Sequence, residues 1–352
     1  MSQTLVSLFS SRRRIKIQPY IYTLLLTSLF LPAVANAADI TQQLHYPRQL
    51  RVMPEMRDDA DTLLRIAEQQ LQQQAPSKAV DSLLKALELY YFKNDLKAEG
   101  LAFDLLSQAY IQLGRFKEAE DAARRRLAVA RDTKDLRGQV FGLNNVGSLL
   151  LQQGDTAPAF EAFAEAVSIA NSIKEIEGQG LSLSNLGLAT ARLGDYNKAI
   201  KLYENALTYR RQTRDPIALA NTYNNLGEAY QAVGDYQNTI STFGYALRLA
   251  KMTRDRVNEY RAIDGLVTAH TSVGRNERAF ELLAQRLELA KQGQDLGEQL
   301  ITFESYAQFY EQQGKYQTAR NFYERAIVIS RTLEDSKKEI YLVDRLTRIL
   351  KK

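Results

Sequence analysis

The chain has 352 residues, 45% hydrophobic and 25% charged, a balance that marks a folded protein and excludes an extended disordered one. It contains no cysteine, which excludes disulfides, thiol catalysis, Cys-ligated zinc and acylation on cysteine. The formal net charge of +5 is concentrated at the start: residues 1–37 hold four basic residues and no acid, leaving the remainder at about +1. A nucleic-acid partner needs a clustered basic face, and only Arg124-Arg125-Arg126 and Arg210-Arg211 offer short basic runs. Both read as solvated helix faces, and no nucleic-acid partner is expected.

The first segment is a targeting signal. Arg12, Arg13, Arg14 and Lys16 precede an apolar run from Ile21 to Val34, and Ala35-Asn36-Ala37 follows. A basic region, a short apolar region and an A-x-A site are the three parts of a secretory signal peptide. The run is short of the ~20 residues that a spanning helix needs. Residues 1–37 are therefore expected to be removed on export to the periplasm, or to a comparable lumen such as that of thylakoids, or to the outside. The alternative is a membrane anchor formed by residues 21–34 if cleavage does not occur. Residues 38–59, interrupted by Pro47 and Pro54, read as a linker or N-terminal arm.

From residue 60 a 40-residue frame repeats seven times, to residue 339. Glycine recurs at 114, 154, 194, 234, 274 and 314, and an acid recurs at Asp95, Asp135, Glu175, Asp215, Asp255, Asp295 and Asp335. A period of this size marks a repeat array. Each unit reads as helix, tight turn, helix. In the fifth, Tyr223, Leu226, Gly227 and Tyr230 share one helical face, and Gly234 stops that helix by accepting the left-handed conformation. The recurring acid is expected to cap the first helix of the next unit, most plainly at Asp215-Pro216. Small residues hold one second-helix slot: Ala79, Ala119, Ala159, Ala199, Thr239, Ala279 and Ala319. Arg126 and Arg286 interrupt another, held elsewhere by Ala86, Ala166, Ala206, Ala246 and Ala326, and looser packing is expected at both. Residues 340–352, with Leu342, Leu346 and Leu350 at helical spacing, read as a capping helix.

Asn225-Leu226-Gly227 with Tyr230, Gly234-Asp235-Tyr236 and Ala246 resembles the tetratricopeptide repeat, as does Asn185-Leu186-Gly187 with Gly194-Asp195-Tyr196, Ala199, Tyr203 and Ala206. The 40-residue length resembles the extended subclass of Leu-Gly-Asn-type scaffold proteins. The resemblance implies an all-α fold: a right-handed superhelical solenoid of seven antiparallel helix pairs. It also implies a concave groove, lined by the first helices, that binds a peptide or a partner's helix.

Carried over, the groove residues are Phe141, Asn144, Ser148 and Gln152 in unit three; Ser184, Leu188 and Arg192 in unit four; Asn221, Asn224, Glu228 and Gln231 in unit five; Arg261, Asp264 and Thr268 in unit six; and Glu304, Gln308 and Glu311 in unit seven. Within the family the neighbouring Asn145, Asn185 and Asn225 bridge adjacent helices, so they are assigned to structure. The slots that carry a carboxylate clamp in chaperone-binding members hold Asn144, Ser184, Asn224, Asp264 and Glu304, without lysine, so no such clamp is expected. Asp264, Glu304 and Glu311 make the last two units acidic, and a neutral or basic partner segment is expected there.

The sequence shows no catalytic motif. Its glycines are spread 40 apart rather than clustered in a phosphate loop, and His270 stands in a slot held by Tyr110, Tyr230 and Tyr310, which makes it a packed ring. No enzyme activity, cofactor or metal is expected. The expected role is an exported interaction scaffold, with a peptide- or solute-sensing module or a signal-anchored assembly factor as alternatives. Self-association is left open.

Overall fold

The computed structural model describes residues 59–351. The expected signal segment and nearly all of the arm lie outside the described residues.

Those residues fold into α-helices, with no strand among them. Seven pairs follow one another: α1 (Asp59–Gln72) with α2 (Pro76–Lys93), α3 (Leu96–Gln112) with α4 (Phe116–Asp132), α5 (Leu136–Gln153) with α6 (Thr156–Ile173), α7 (Ile176–Arg192) with α8 (Tyr196–Arg210), α9 (Pro216–Ala232) with α10 (Tyr236–Thr253), α11 (Arg256–Ser272) with α12 (Asn276–Gln292), and α13 (Leu296–Gln312) with α14 (Tyr316–Thr332). A fifteenth helix, α15 (Ser336–Ile349), closes the series. Each helix packs on its neighbours in sequence, and successive first helices also touch, as α5 with α7 and α9 with α11. The result is a right-handed solenoid in which each pair buries its apolar face against adjacent pairs.

The recurring acid sets where each pair begins. Asp95, Asp135, Glu175, Asp215, Asp255, Asp295 and Asp335 each accept a hydrogen bond from a backbone N–H in the first turn of the helix that follows. Each thereby satisfies a donor that the helix itself leaves without a partner. A pair therefore opens immediately after its acid, at Leu96, Leu136 and so on, four residues ahead of a frame counted from residue 60.

Two left-handed turns punctuate each unit. The first falls on Gln74 in the first unit, with φ 57°, and on the recurring glycine in the others, as at Gly194 with φ +91° and Gly234 with φ +77°. The second falls just before the acid, on residues with a side chain: Asn94, Lys134, Lys174, Arg214, Arg254, Gln294 and Glu334, with φ between 52° and 56°. The glycines made the first turn visible in the sequence. Nothing in the residue type marks the second.

The small-residue slot is fully buried in all seven units, from Ala79 to Ala319. Close approach also explains a glycine in the first helices. A Cβ at Gly187 would stand 2.7 Å from the ring of Tyr203, which is itself almost fully buried. Gly147 faces Phe163 and Gly227 faces Phe243 in the same way.

The expectation of looser packing at the arginines of the alanine slot holds at Arg286 and fails at Arg126. Around Arg286 the helices do meet less closely than elsewhere, but the space is filled. Arg286 is 2% exposed and is the largest fully buried side chain among the described residues. Its guanidinium bonds Asp264 at 2.6 and 3.0 Å, the Glu298 carboxylate at 2.9 Å, the Glu298 carbonyl at 3.0 Å and Thr302 Oγ1 at 2.6 Å, over the ring of Tyr260. Burial alone would lower its pKa, but the Asp264 and Glu298 carboxylates more than offset this and hold it above the ordinary arginine value. Arg126 bonds Asp104 at 3.0 Å in the same relation, 22 residues apart, and α3 packs on α4 as fully as in other pairs. A buried cation is tolerated because its carboxylate comes with it.

Candidate partner-binding wall

Successive first helices are tied edge to edge by polar side chains. From α5, Asn144 Nδ2 donates to Ser182 Oγ of α7 at 2.7 Å, and Asn185 Nδ2 of α7 donates back to Asn144 Oδ1 at 2.9 Å. Ser184 of α7 meets Thr222 of α9 at 3.3 Å. Asn224 Nδ2 of α9 donates to Asn258 Oδ1 of α11 at 2.9 Å. Arg261 of α11 reaches back to Asn225 Oδ1 and Glu228 Oε1 of α9, both at 2.8 Å, while Arg192 of α7 donates to the Leu151 carbonyl of α5 at 2.7 Å. Buried polar groups need such partners, since leaving one unmade costs ~1–3 kcal/mol. Asn185 and Asn225 thus bridge helices as the sequence suggested.

These bonds divide the expected groove residues into two sets. Asn144, Ser148, Ser184 and Asn224 are buried, as are Phe141 and Glu304. For Asn144, Ser184 and Asn224 the reason is the ladder itself: they spend their polar atoms joining helices, so they shape the wall rather than presenting atoms from it. The accessible set is Gln152, Arg192 and Thr268, which are exposed, with Leu188, Asn221, Glu228, Gln231, Arg261, Asp264, Gln308 and Glu311 partly so. The exposed members lie toward the C-terminal ends of their helices. Gln231 Oε1 has no hydrogen-bond partner although it is enclosed.

The acidic stripe is another correction. Asp264 is engaged by Arg286, Glu304 lies 2.5 Å from Lys338 Nζ, and Glu311 lies 2.8 Å from Arg345 while accepting from Tyr323 at 2.9 Å. Lys338 and Arg345 belong to α15, so the capping helix supplies the cations that neutralise the last unit. The charges expected to favour a neutral or basic partner segment are satisfied within the chain. Reversing Glu304 or Glu311 would first disturb the cap, which docks through buried Leu342 and Ile349.

Sequence reading missed the ion clusters and one hollow. The clusters had a signal, since Asp104 with Arg126 and Asp264 with Arg286 are paired departures from the Asn or Ser with Ala that units three to five carry in the same two slots. The hollow is a cleft of about 540 Å³ between α8 and α10, floored by Tyr223 and Tyr230 of α9. Tyr230 donates to Glu204 at 2.7 Å, Arg211 donates to Tyr223 at 2.9 Å, and Tyr223 stacks on Tyr245 at 5.5 Å. It opens between second helices, away from the first-helix wall. His270 is 7% exposed, and its pKa is lowered by burial and then by Arg275 and Arg278, as fits a packed neutral ring.

Stacked antiparallel helix pairs with a polar wall of first helices define a helical-repeat protein built on short two-helix units. The chain belongs to the tetratricopeptide-repeat family: the family's models match residues 139–212 and 218–292, and 102–137 and 302–337. No curated protein sequence matches the chain. Among solved structures, the apo form of RapI is similar, with a TM-score of 0.61 and 15% identity over 79% of this chain and 100% of that one. A Signal Transduction ATPase with Numerous Domains protein with a tetratricopeptide repeat sensor, from Pyrococcus horikoshii, gives 0.62 and 17% over 80% of this chain but 44% of that one. A Rap protein complexed with Competence and Sporulation Factor gives 0.53 and 13% over 83% of this chain and 98% of that one. At these identities the likeness is one of fold.

Proposed function

We propose that this chain is an exported scaffold that holds a peptide segment or helix of a partner protein against the wall formed by α5, α7, α9, α11 and α13. The observation that carries this reading is the polar ladder. It fixes the spacing of the first helices and leaves Gln152, Arg192, Gln231 and Thr268 at the edge of a rigid surface, with hydrogen-bonding capacity to spare. Preorganised donors and acceptors of this kind suit an extended or helical backbone, whose ordering is the main loss on binding. The basic leader, the apolar run and Ala35-Asn36-Ala37 support export, with anchoring by residues 21–34 as the alternative. The 40-residue spacing supports the extended, Leu-Gly-Asn-like subclass.

The experiment is capture from envelope extract by wild type and by a wall variant, Arg192→Glu with Gln231→Arg. A partner held by wild type and by the outward control Lys201→Glu, but lost from the wall variant, supports the reading. Equal capture by all three counts against it. A second reading, peptide sensing, is favoured by similarity to folds described as a tetratricopeptide repeat sensor and as a complex with Competence and Sporulation Factor. Under it a short peptide alone raises the melting temperature by mass action.

A further inference from the structure

The cleft between α8 and α10 lies where three slots of unit five depart from the repeat together. Tyr245 stands where the other units carry Lys85, Arg125, Glu165, Asn205, Gln285 and Arg325. Ser241 stands where five of them carry the charged Asp81, Asp121, Glu161, Lys201 and Glu281. Tyr223 brings a hydroxyl to a slot held elsewhere by leucine, isoleucine or phenylalanine. One of these departures strips a charge of its partner. In the same relation two units earlier, Arg131 of α4 pairs with Glu165 of α6 at 2.8 Å. At the cleft the cation is kept as Arg211 and the acid is replaced by Tyr245, so Arg211 donates to the Tyr223 hydroxyl instead. Glu204, seven residues before Arg211, accepts from the Tyr230 hydroxyl. Both are exposed, and neither has an oppositely charged partner among the described residues.

We infer that this cleft binds a free peptide of two or three residues, its carboxylate held by Arg211, its ammonium by Glu204 and its side chains lying on the tyrosines. The ligand carboxylate takes the part that Glu165 plays beside Arg131. Each end of the cleft has a second charge of the same sign. Arg248 lies over the Tyr245 ring at 5.2 Å, on the Arg211 side. Asp235, the cap of α10, acts on Tyr230 together with Glu204. A neutral sugar would leave both free charges without a partner, and a ligand of one sign would leave one of them. Length follows from the helix. Seven residues of α8 separate the two charges by ~10 Å at ~1.5 Å per residue. An extended chain covers at most ~3.3–3.6 Å per residue. A single amino acid therefore cannot reach both charges, and a peptide much longer than three residues cannot seat both its ends. The volume, about 540 Å³, suits a ligand of this size, since small-molecule sites span ~300–1,000 Å³. The site is independent of what the first-helix wall binds.

Equilibrium dialysis of the full-length chain tests this against a pool of free tripeptides with alanine at each end and every amino acid in the middle. Two further pools are acetylated at the N-terminus or amidated at the C-terminus. The expected result is that members of the free pool are retained at one peptide per chain. Either block should weaken retention ~10-fold or more, because each removes a charge-assisted hydrogen bond. Arg211→Gln should hold free and amidated peptides alike, and Glu204→Gln free and acetylated ones alike, a pattern that misfolding does not produce. Tyr245→Glu, which recreates the ion pair of units two and three, should abolish retention while helicity and melting temperature are kept. Retention that both blocks or Tyr245→Glu leave unchanged would overturn the proposal, as would a free pool that is not retained at millimolar concentration. Loss in the wall variant Arg192→Glu with Gln231→Arg, with the cleft variants unaffected, would move peptide binding to the wall and overturn it equally.

Discussion

Arg286 and Asp264 meet in a two-pronged ion pair, Nε to Oδ1 at 2.6 Å and Nη2 to Oδ2 at 3.0 Å, at a position where five of the seven units carry a buried alanine. Glu298 completes the cluster from the next unit, so the pair also ties α12 to α13. Removing one partner of a buried pair is severe, ~3–5 kcal/mol, because the other charge stays behind unpaired. Asp264 is partly open to solvent, which places Arg286→Ala at the lower end, about 3 kcal/mol. Arg286→Ala with Asp264→Asn, which recreates the alanine and asparagine of unit five, should recover most of that loss. Urea unfolding of the two variants checks the difference.

The related pair, Asp104 with Arg126, gives a prediction in pH. Burial raises the Asp104 carboxyl from 3.8 to about 6, outweighing the lowering by Arg126. A folded-state pKa above the unfolded one means the native state binds the proton more tightly. The contribution of Asp104 is therefore full below about 3.8 and is lost as pH rises through about 6. Relative to Asp104→Asn with Arg126→Ala, the wild type should lose stability between those values on the way up. Carbonyl NMR of Asp104 should show its midpoint in the same window; a midpoint near that of a free aspartate would contradict this.

His270 behaves with the opposite sense. Burial, then Arg275 and Arg278, lowers its pKa below the ordinary 6.5, so the unfolded chain takes up the proton first. Stability from the neutral ring is present above 6.5 and is lost as pH falls below it. His270→Tyr, the residue found in that slot in units two, five and seven, should remove this acid-side loss. Melting curves from pH 7.5 to 5 are expected to fall less steeply for the variant than for wild type.

The two left-handed turns of each unit should respond in opposite directions. Gly194 has φ +91°, where a Cβ is strained, so Gly194→Ala should destabilise by ~1 kcal/mol. Lys174 already pays that strain at φ 55°, so Lys174→Gly should be neutral or stabilise by up to ~1 kcal/mol, the entropy of glycine taking back part of the relief. Thermal denaturation of the two single variants decides the signs.

What the sequence made legible was what local chemistry dictates. Asp215 caps α9 through N–H groups two and three residues away, so spacing alone shows it. Ala199 and Gly187 recur because one ring or helix must approach closely at the same place in unit after unit. The expected wall residues fall on first helices that do pack side by side, but which of them face outward was not legible. Asn144 and Ser182 lie 38 residues apart, and only the stacking of α5 on α7 joins them. The acids of unit seven were misread for the same reason. Their cations, Lys338 and Arg345, come from α15, which stands outside the seven-unit frame. The left-handed turn at Lys174 escaped notice because a lysine carries no mark of it.

The central claim is that the first-helix wall, and not the outer second helices, holds the partner. Site-specific photo-crosslinking in living cells tests it most directly, with benzoyl-phenylalanine placed at Gln152, Arg192, Gln231 or Thr268 on the wall and at Lys201 or Glu281 on second helices. The account predicts a crosslinked species from the wall positions and none from Lys201 or Glu281. Crosslinks that form from the second-helix positions while the wall positions stay silent would contradict it.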